Sequence, residues 1–506
     1  MKKIAIAAVA IATALALSAC SSGGSSKTAS DPSTPSALKI GNFLPVSSWD
    51  PAQGGVGFDG PYLSAIYDPL VYVSPSGAPE PALATSWTWS QDDTVLSMKL
   101  RGGVTFTDGS AFNADAAVAN IEHLAKGTMT STAYTDMSSV SAAGSNQITI
   151  TLKQPDSAFL YELGLGNSYM ASPKALNSPS LATTPVGSGP YTFDASKSTA
   201  GSVYYFTKKA SYWDSKQYPF KTVEIQAIND QTARNNAMLS GQLNLEYASA
   251  GDINQAKQHD FNIAQAVGTW VGINFVDRQG KVSAPLGNVK VRQAINYAFD
   301  SAGILKTLAY GAGVATNQVF TSTSGASLPS LAGEYSYNVK KAKQLLAQAG
   351  YANGFSVTMP MSPAFQPYQA IATQSLKAIG IDVTWDNMSQ IDYQQRLNDY
   401  PMFLCVLALD SNAYATVQNQ LAGPTWTNPL NSAASDPTLS SMMNKLPTAG
   451  NQQAAQIKAI NQYVTNNAWF AVWMQADNVY FSAPGIKVTP IVGLMFPTLR
   501  YIQPGK

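Results

Sequence analysis

Stretches with the spacing of strands alternate with stretches with the spacing of helices from Leu38 onward, and this alternation constrains the possible fold more than any other feature. Residues 402–409 form an apolar run of strand length, as expected for a strand that is covered on both faces. Upstream, the helical pattern of residues 371–379 ends at Gly380 and leads directly into the strand pattern of residues 381–385. No period of about 20–50 residues recurs, which disfavours a solenoid. The sequence therefore predicts a mixed α/β fold.

Three polar residues stand where helices are expected to begin. Asn113, Ser301 and Asn338 each precede an apolar stripe with helical spacing. Short polar side chains of this kind accept hydrogen bonds from the first free backbone amides of a helix. Gly350 follows the stripe after Asn338, and glycine commonly ends a helix. These positions predict three capped helices.

The first residues have the pattern of an export signal. Lys2 and Lys3 precede an apolar run, residues 4–17, which is too short to span a bilayer but has the length of the central part of a secretory signal. The run ends in LSAC, residues 17–20, which resembles a bacterial lipobox, where the cysteine receives a lipid and becomes the new N-terminus. We therefore expect a signal peptide over residues 1–19 and lipidation of Cys20. The alternative is an ordinary secretory signal with an incidental cysteine.

The segment after Cys20 has the composition of a flexible tether. Residues 21–37 are dominated by Ser, Gly, Thr and Pro and show no apolar periodicity. Acyl chains hold such proteins on a membrane face without a spanning helix. We therefore predict a lipidated tether over residues 20–37 and a folded body on the outer face of the cytoplasmic membrane.

Charge and composition exclude several classes of partner. The chain has 31 Lys and Arg residues against 30 Asp and Glu residues, whereas a nucleic-acid-binding protein normally shows a basic surface. Two Cys and two His residues are too few for a disulfide framework or a structural zinc site with four ligands. We expect no nucleic-acid partner, no metal and no cofactor.

Four sequence blocks in order carry a family resemblance. PALATSW (residues 81–87) with LRGGVTFTDGS (100–110), GSGPY (187–191), VRQAINYAFD (291–300) and KAKQLLAQAGY (341–351) together resemble the family 5 solute-binding proteins of bacterial ABC importers. The resemblance implies a two-lobed fold like that of class II periplasmic binding proteins. It also implies an extra subdomain in the first lobe and two strands that cross between the lobes.

The same resemblance predicts how the chain is divided. We expect crossings near residues 270–275 and 470–480. The predicted segments are the first part of lobe I (38–60), its extra subdomain (61–184), its continuation (185–272), lobe II (273–474) and a return to lobe I (475–506).

Asp410 is the first candidate for contact with a ligand. Peptide-binding relatives carry an aspartate at the end of a strand in the second lobe, which pairs with the ligand's N-terminal ammonium, and Asp410 matches that position. Backbone groups of Leu407, Ala408 and Leu409 are expected to meet the ligand backbone. The alternative is that Asp410 only caps the following turn, Ser411 and Asn412.

Two departures from the peptide-binding pattern leave more than one class of ligand in consideration. Family members often carry a second Asp-Pro soon after the aspartate, whereas this sequence has Asn412, Ala413 and Tyr414. Dipeptide receptors fix the ligand carboxylate with an arginine, but no Lys or Arg lies between Lys343 and Lys377. A longer peptide or a neutral ligand fits better than a free dipeptide.

Aromatic residues and a glycine turn complete the candidate site. Trp426, on a loop, and Trp270, near a proposed crossing, could stack on a sugar or an apolar side chain. Gly55, Val56 and Gly57 match a turn that presents a backbone contact in relatives, and its glycines permit close approach. Each of these residues has a purely structural alternative.

The predicted function is that of a receptor without catalytic chemistry. We expect a monomeric lipoprotein that captures an oligopeptide between its lobes and delivers it to an ABC permease. A neutral oligosaccharide is the alternative solute. A lipid-anchored hydrolase is a remote alternative, because the sequence has no nucleophile elbow, HExxH motif or phosphate loop.

Overall fold

Strands and helices alternate along the folded body, as the sequence predicts. The computed structural model describes residues 36–423, 428, 430 and 434–505. In these residues the strands are β1 (Ala37–Asn42), β2 (Val71–Val73), β3 (Pro79–Pro81), β4 (Ala84–Trp89), β5 (Val95–Leu100), β6 (Met137–Ala142), β7 (Gln147–Leu152), β8 (Tyr191–Phe193), β9 (Val203–Lys208), β10 (Thr222–Ala227), β11 (Leu245–Ala248), β12 (Asn262–Phe275), β13 (Gly313–Val314), β14 (Phe355–Met361), β15 (Ile381–Asn387), β16 (Met402–Ala408), β17 (Phe470–Ser482), β18 (Ile486–Val488) and β19 (Ile502–Pro504).

The helices are mostly short and lie between these strands. They are α1 (Val56–Ile66), α2 (Ala114–Leu124), α3 (Phe159–Glu162), α4 (Pro173–Leu176), α5 (Gln231–Leu239), α6 (Ile253–Gln258), α7 (Val289–Tyr297), α8 (Ser301–Leu308), α9 (Val339–Gln348), α10 (Gln366–Ala378), α11 (Gln390–Gln395), α12 (Ala413–Thr416), α13 (Pro437–Asn444) and α14 (Gln453–Asn466). Two π-helical turns, Leu163–Asn167 and Val417–Leu421, directly follow α3 and α12.

Side-chain caps fix where several helices begin. Asn113 accepts a hydrogen bond from the Ala116 amide at 2.9 Å and begins α2. Asn338 begins α9 in the same way. The prediction for α8 was wrong by one residue, because Asp300 is the cap and accepts from the Gly303 amide at 3.1 Å. The carboxylate of Asp300 reaches the third amide of the helix, which puts Ser301 inside the first turn.

One mixed sheet of nine strands runs through the molecule. Its order is β16-β12-β17-β11-β1-β10-β9-β8, with β13 added beside β17. Strand β1 is parallel to β10 and β11, and the other pairs are antiparallel. Strands that are far apart in sequence therefore lie side by side in this sheet.

The long strands β12 and β17 hold the two halves of this sheet together. The first half of β12 pairs with the C-terminal end of β17, which also pairs with β11, whereas the second half lies between β16 and β17. The register between β12 and β17 shifts once at Gly268, between Val267 and Thr269, and again between Val271 and Gly272. A Cβ atom on Gly272 would lie 2.0 Å from the Ala471 carbonyl oxygen, so the two strands approach closely there.

A separate antiparallel sheet lies within residues 61–184, the segment predicted to be the extra subdomain. Its order is β4-β5-β7-β6, and helix α2 packs on it. Leu96 and Met98 of β5 and Ile148 and Ile150 of β7 are fully buried in one cluster, together with Ile121 of α2. The alternation of buried and exposed residues along β5 matches a strand with one covered face.

Three further large hydrophobic clusters fill much of the rest of the part of the chain that the structure describes. One contains Ile40, Tyr62 and Ile225 on the first-lobe side. A second contains Ile295 and Trp473 on the second-lobe side, where the parallel pair β14 and β15 also packs. The third is shared by both sides and includes Val73, Tyr161 and Leu165 together with Trp270, Leu409 and Tyr414.

Two further features bear on function. Within residues 36–423, 428, 430 and 434–505, no helix has the length and apolar character that crossing a membrane requires. Over the same residues, no three His, Cys, Asp or Glu side chains are grouped so that they could hold a metal ion. Cys405 is a buried free thiol inside β16.

Candidate functional site

Asp410 lies directly after strand β16, where the shared hydrophobic cluster ends. The residue is only 6% exposed. Its backbone oxygen accepts a hydrogen bond from Thr321 Oγ1 at 2.9 Å. The cap of helix α12 is Asn412, whose Oδ1 accepts from the amides of Tyr414 and Ala415 at 2.9 and 3.0 Å. The carboxylate of Asp410 is therefore not the cap of this turn.

A second carboxylate, that of Glu162, comes close to Asp410. Glu162 is the last residue of α3 and is partly exposed. Asn419 connects the two groups, because its Nδ2 donates to Asp410 Oδ2 at 3.3 Å and to Glu162 Oε1 at 3.4 Å. Asn167 donates to Glu162 Oε2 at 3.4 Å. Both amides lie in the π-helical turns, an irregularity that is frequent at functional sites.

The surroundings of the two carboxyl groups favour their neutral forms. Burial, together with the charge of Asp410, raises the pKa of Glu162 to about 8. Burial raises the pKa of Asp410 to about 7, although the hydrogen bond from Asn419 acts in the opposite direction. Burial also raises the pKa of the nearby Asp156 to about 6. Among the described residues, no Lys, Arg or His forms a hydrogen bond or ion pair with these three carboxyl groups.

Two cavities of about 710 Å³ each flank this region. The first is lined by Glu162, Asp156 and Asn419, and the second by Tyr161, Asp156 and Asn412. Each cavity combines residues of the extra subdomain with residues that follow β16. Space for a solute therefore lies between segments that the sequence assigns to different lobes.

The three residues before Asp410 differ in exposure. Leu407 is 4% exposed and Leu409 is 1% exposed, and both belong to the shared hydrophobic cluster. Ala408 is exposed, and its carbonyl oxygen accepts from Gln420 Nε2 at 3.3 Å. The Leu409 amide donates to the Gly268 carbonyl at 3.0 Å. The backbone of this run is thus partly engaged within the protein.

The glycine turn lies at the start of helix α1. Gly55 caps this helix, its amide donates to Asp59 Oδ2 at 2.8 Å, and Val56 is the first helical residue. No heavy atom lies within 4 Å of the position that a Cβ on Gly57 would take. Phe58 beside it is 42% exposed. The turn is open to contact from outside.

A line of contacts connects this turn to the end of β16. Phe58 packs edge to face on Phe43, and Phe43 packs on Tyr247 with ring centroids 5.4 Å apart. Tyr247 donates to Asn478 Oδ1 at 3.3 Å, and the Asn478 side chain lies against Gly268. Gly268 in turn bonds Leu409, so a continuous series of contacts through β12 and β17 connects the two predicted contact groups.

The predicted tryptophans are placed differently. Trp270 has no exposed surface, packs on Phe470 and donates from Nε1 to Gln420 Oε1 at 3.2 Å. It is therefore a core residue whose indole orients the turn that also carries Asn419. Trp426 and Cys20 lie outside the described residues.

Sequence reasoning missed Glu162 and Asn419. Glu162 could have been noticed as a single glutamate inside the apolar stretch of residues 158–166, because a charge in such a run needs a partner. Asn419 had no comparable signal, since a lone amide in a polar segment is common. Their juxtaposition depends on the tertiary fold.

Known proteins of similar sequence and structure bind small solutes. The glutathione-binding protein GsiB of Escherichia coli (strain K12) is 29% identical over 321 residues, and the match covers 59% of this chain and 59% of GsiB, so the chain spans somewhat over half of this relative's length. The periplasmic binding protein DppA of Helicobacter pylori, in complex with the peptide STSA, superposes with a TM-score of 0.77 at 23% identity and covers 94% of this chain and 99% of DppA. NikA of Brucella suis, in complex with Fe(III)-EDTA, superposes with a TM-score of 0.79 at 20% identity and covers 93% of this chain and 100% of NikA.

These similarities confirm the predicted α/β, two-lobed fold of periplasmic binding proteins. The family model of bacterial extracellular solute-binding proteins, family 5, matches residues 78–428, which is more than half of the chain. The match agrees with the four sequence blocks and with the expectation of a binding protein rather than an enzyme. The chain therefore belongs to family 5 of the bacterial extracellular solute-binding proteins.

Proposed function

We propose that this protein captures an oligopeptide between its two lobes and delivers it to the membrane permease of an ABC importer. The body acts outside the cytoplasmic membrane as a monomer, and a lipid on Cys20 holds it there. Contacts from both lobes stabilise the closed form, which the permease recognises. Binding and release involve no covalent chemistry.

The observation that carries this proposal is the carboxylate of Asp410. Asp410 is 6% exposed and follows β16, its hydrogen-bond partner Asn419 lines one of the interlobe cavities, and no cationic side chain of the described residues pairs with the carboxylate. A buried carboxylate needs a cationic or hydrogen-bonding partner, and the N-terminal ammonium of a peptide supplies one. The names of GsiB and of the DppA complex, which refer to glutathione and to a peptide, point to the same solute class.

The tryptophans support the oligosaccharide alternative less well. Trp270, Trp469 and Trp473 are 0%, 2% and 1% exposed, so none of these three offers a ring face to a sugar. An oligopeptide therefore remains the favoured solute.

A ligand screen by thermal denaturation tests the proposal. A ligand at 100 times its Kd adds about 2.7 kcal/mol to the stability of the native state, which gives a measurable rise in Tm. We expect purified protein, freed of copurified ligand, to be stabilised by members of a pool of synthetic tri- to pentapeptides. If only oligosaccharides stabilise the protein, the proposed solute class is wrong and the solute is an oligosaccharide.

The membrane anchor is tested separately. Cells that express the protein are labelled with an alkyne analogue of palmitate, and the protein is captured and examined for label. We expect label on the wild-type protein and none on Cys20→Ala, with more of that variant in the soluble fraction. Equal distribution of the two proteins would contradict the anchor.

A further inference from the structure

Glu162 and Asp410 come from segments assigned to different lobes, and Asn419, which contacts both, lines the first cavity together with Glu162. Glu162 ends α3, in the segment assigned to the extra subdomain of the first lobe, whereas Asp410 follows β16, in the segment assigned to the second lobe. Two like charges repel each other, and a third, Asp156, acts on Glu162 in the same direction. Ionisation of both acids is therefore unfavourable in the protein by itself, and the ionised pair requires a compensating partner.

The hydrogen bonds within the protein only partly compensate. The shared donor Asn419 contacts both carboxylates at the long distances of 3.3 and 3.4 Å. Asp410 is 6% exposed, and within the part of the chain that the structure describes its Oδ1 accepts no hydrogen bond. This oxygen therefore retains the capacity to accept a hydrogen bond from a further donor.

Within the described part of the chain, the charged and titratable groups around the pair offer no alternative cation. Glu162 faces Asp410 and Asp156, and Asp136 lies beyond Asp156. The hydroxyl of Tyr161 is close to Asp410 and is neutral, because burial raises the pKa of this phenol well above its usual range. Every charged neighbour in this group is an acid.

We propose that Glu162 and Asp410 together bind one primary ammonium group of the solute, so that a single cation is held by both lobes. An ammonium carries three donors and can reach both carboxylates, as the single Asn419 amide does only at long range. Glu162 thus becomes a second ligand-binding residue and makes lobe closure depend on the cation. This inference rests on the proposed function and specifies the ammonium contact within it.

The test compares Glu162→Gln with wild type by isothermal titration of peptides identified in the screen. Each peptide is used with a free N-terminus and with an acetylated one, at pH 7.5. Gln keeps the size of the side chain and can still accept from Asn419. We expect Glu162→Gln to weaken binding of the free peptide at least about tenfold and to leave the weak binding of the acetylated peptide unchanged.

Two further variants separate ligand binding from structural effects. Glu122→Gln makes the same exchange at an exposed position of α2 and should bind like wild type. Glu162→Asp keeps the charge and should recover part of the lost affinity. Because Glu162→Gln removes repulsion in the ligand-free protein, its Tm should equal or exceed that of wild type. A purely structural role would lower both Tm and affinity.

The outcomes distinguish this inference from the proposed function. If acetylation or Asp410→Asn abolishes peptide binding but Glu162→Gln does not alter it, the shared site is wrong and peptide capture stands. If peptides bind equally well with blocked N-termini, no ammonium is recognised and the inference is also overturned. If no peptide in the pool binds to wild type, the proposed solute class and this inference fail together.

Discussion

Single carboxyl groups in low-polarity surroundings determine much of the chemistry of this molecule. Burial raises the pKa values of both Asp410 and Glu162, and the charge of Asp410 raises that of Glu162 further. Glu246 is a third case with a different environment. It has no exposed surface, and neither carboxylate oxygen has a hydrogen-bond partner among the described residues. Burial raises its pKa to about 8, although Arg234 at 3.9 Å acts in the opposite direction.

Replacement of Glu246 by Gln should stabilise the protein at pH 8. Ionised Glu246 is unfavourable in the folded state, and Arg234 keeps the carbonyl oxygens of Ile228 and Tyr247 as acceptors. We expect the free energy of unfolding to rise by about 1 kcal/mol, measured by urea denaturation. Glu224→Gln on strand β10 of the same sheet is the matched control and should change little. A loss of stability in Glu246→Gln would show that the ion pair with Arg234 dominates.

The affinity for peptides should depend on pH through the buried carboxyl groups of the proposed binding site. Glu162 and Asp410 must lose their protons to bind an ammonium, and their pKa values are about 8 and 7. Affinity for free peptides should therefore rise by at least about a hundredfold from pH 5.5 to 7.5, while an α-amino group, with a pKa near 8, stays mostly protonated. Titration calorimetry at both pH values, with the acetylated peptide as control, checks this. A flat profile would argue against ionised carboxylates as the contact.

The sequence indicates some of these residues and not others. Asp410 could be predicted because a charge at the end of an apolar strand is conspicuous in the sequence. Glu162 could not be paired with it, because the two residues meet only through the tertiary fold. Trp270 was a weaker candidate, and its full burial shows why an aromatic residue alone does not indicate a ligand contact.

Strands β12 and β17 depend on glycines where they approach each other. A Cβ on Gly272 would meet the backbone oxygen of Ala471 at 2.0 Å, and backbone cannot move aside as a side chain can. At Gly102, in contrast, no heavy atom lies within 4 Å. The crossing strands therefore tolerate less change than the surface turns.

Gly272→Ala should lower the free energy of unfolding by about 2 kcal/mol, because the added methyl group forces the two strands apart. Gly102→Ala is the control and should remain within about 0.5 kcal/mol of wild type. Chemical denaturation of both variants provides the measurement. Equal stability of the two variants would mean that the strands separate at little cost.

Predictions at the level of elements succeeded where a local pattern determines the structure. The caps at Asn113 and Asn338 and the buried face of β5 follow from neighbouring residues alone. Asp300 replaced Ser301 as a cap, because two adjacent residues can serve and the carboxylate reaches the first turn. The π-helical turns after α3 and α12 had no local signal, since they depend on packing between distant segments.

For the molecule as a whole, buried acids make stability depend on pH. The pKa values of Asp156, Glu162, Asp410 and Glu246 lie at about 6, 8, 7 and 8 in the folded protein, above the usual values of 3.8 and 4.5. The folded state thus binds more protons than the unfolded state between these limits. The contribution of these four acids to the free energy of unfolding is complete below about pH 4 and is lost as the pH rises through 6–8.

We therefore expect the ligand-free protein to have a higher Tm at pH 5 than at pH 8, measured by scanning calorimetry. The Glu246→Gln variant should show a smaller difference between the two pH values. A Tm that rises towards pH 8 would mean that other groups outweigh these four acids.

The two-lobed fold could be inferred from four sequence blocks, whereas the sheet order could not. The blocks are turns, caps and core positions that recur with the fold. Strand order depends on pairs such as β1 with β10 and β11 with β17, which are distant in sequence. Local patterns contain no information about such pairings.

The position of β17 also has a consequence for biosynthesis. This strand lies between β11 and β12 in the sheet, yet it comprises residues 470–482 and is made after both of them. The earlier strands of the central sheet therefore wait for these residues before their hydrogen bonding is complete. A nascent chain that lacks β17 has an unfilled gap in its sheet and should remain unable to complete its fold until residues 470–482 have been synthesised.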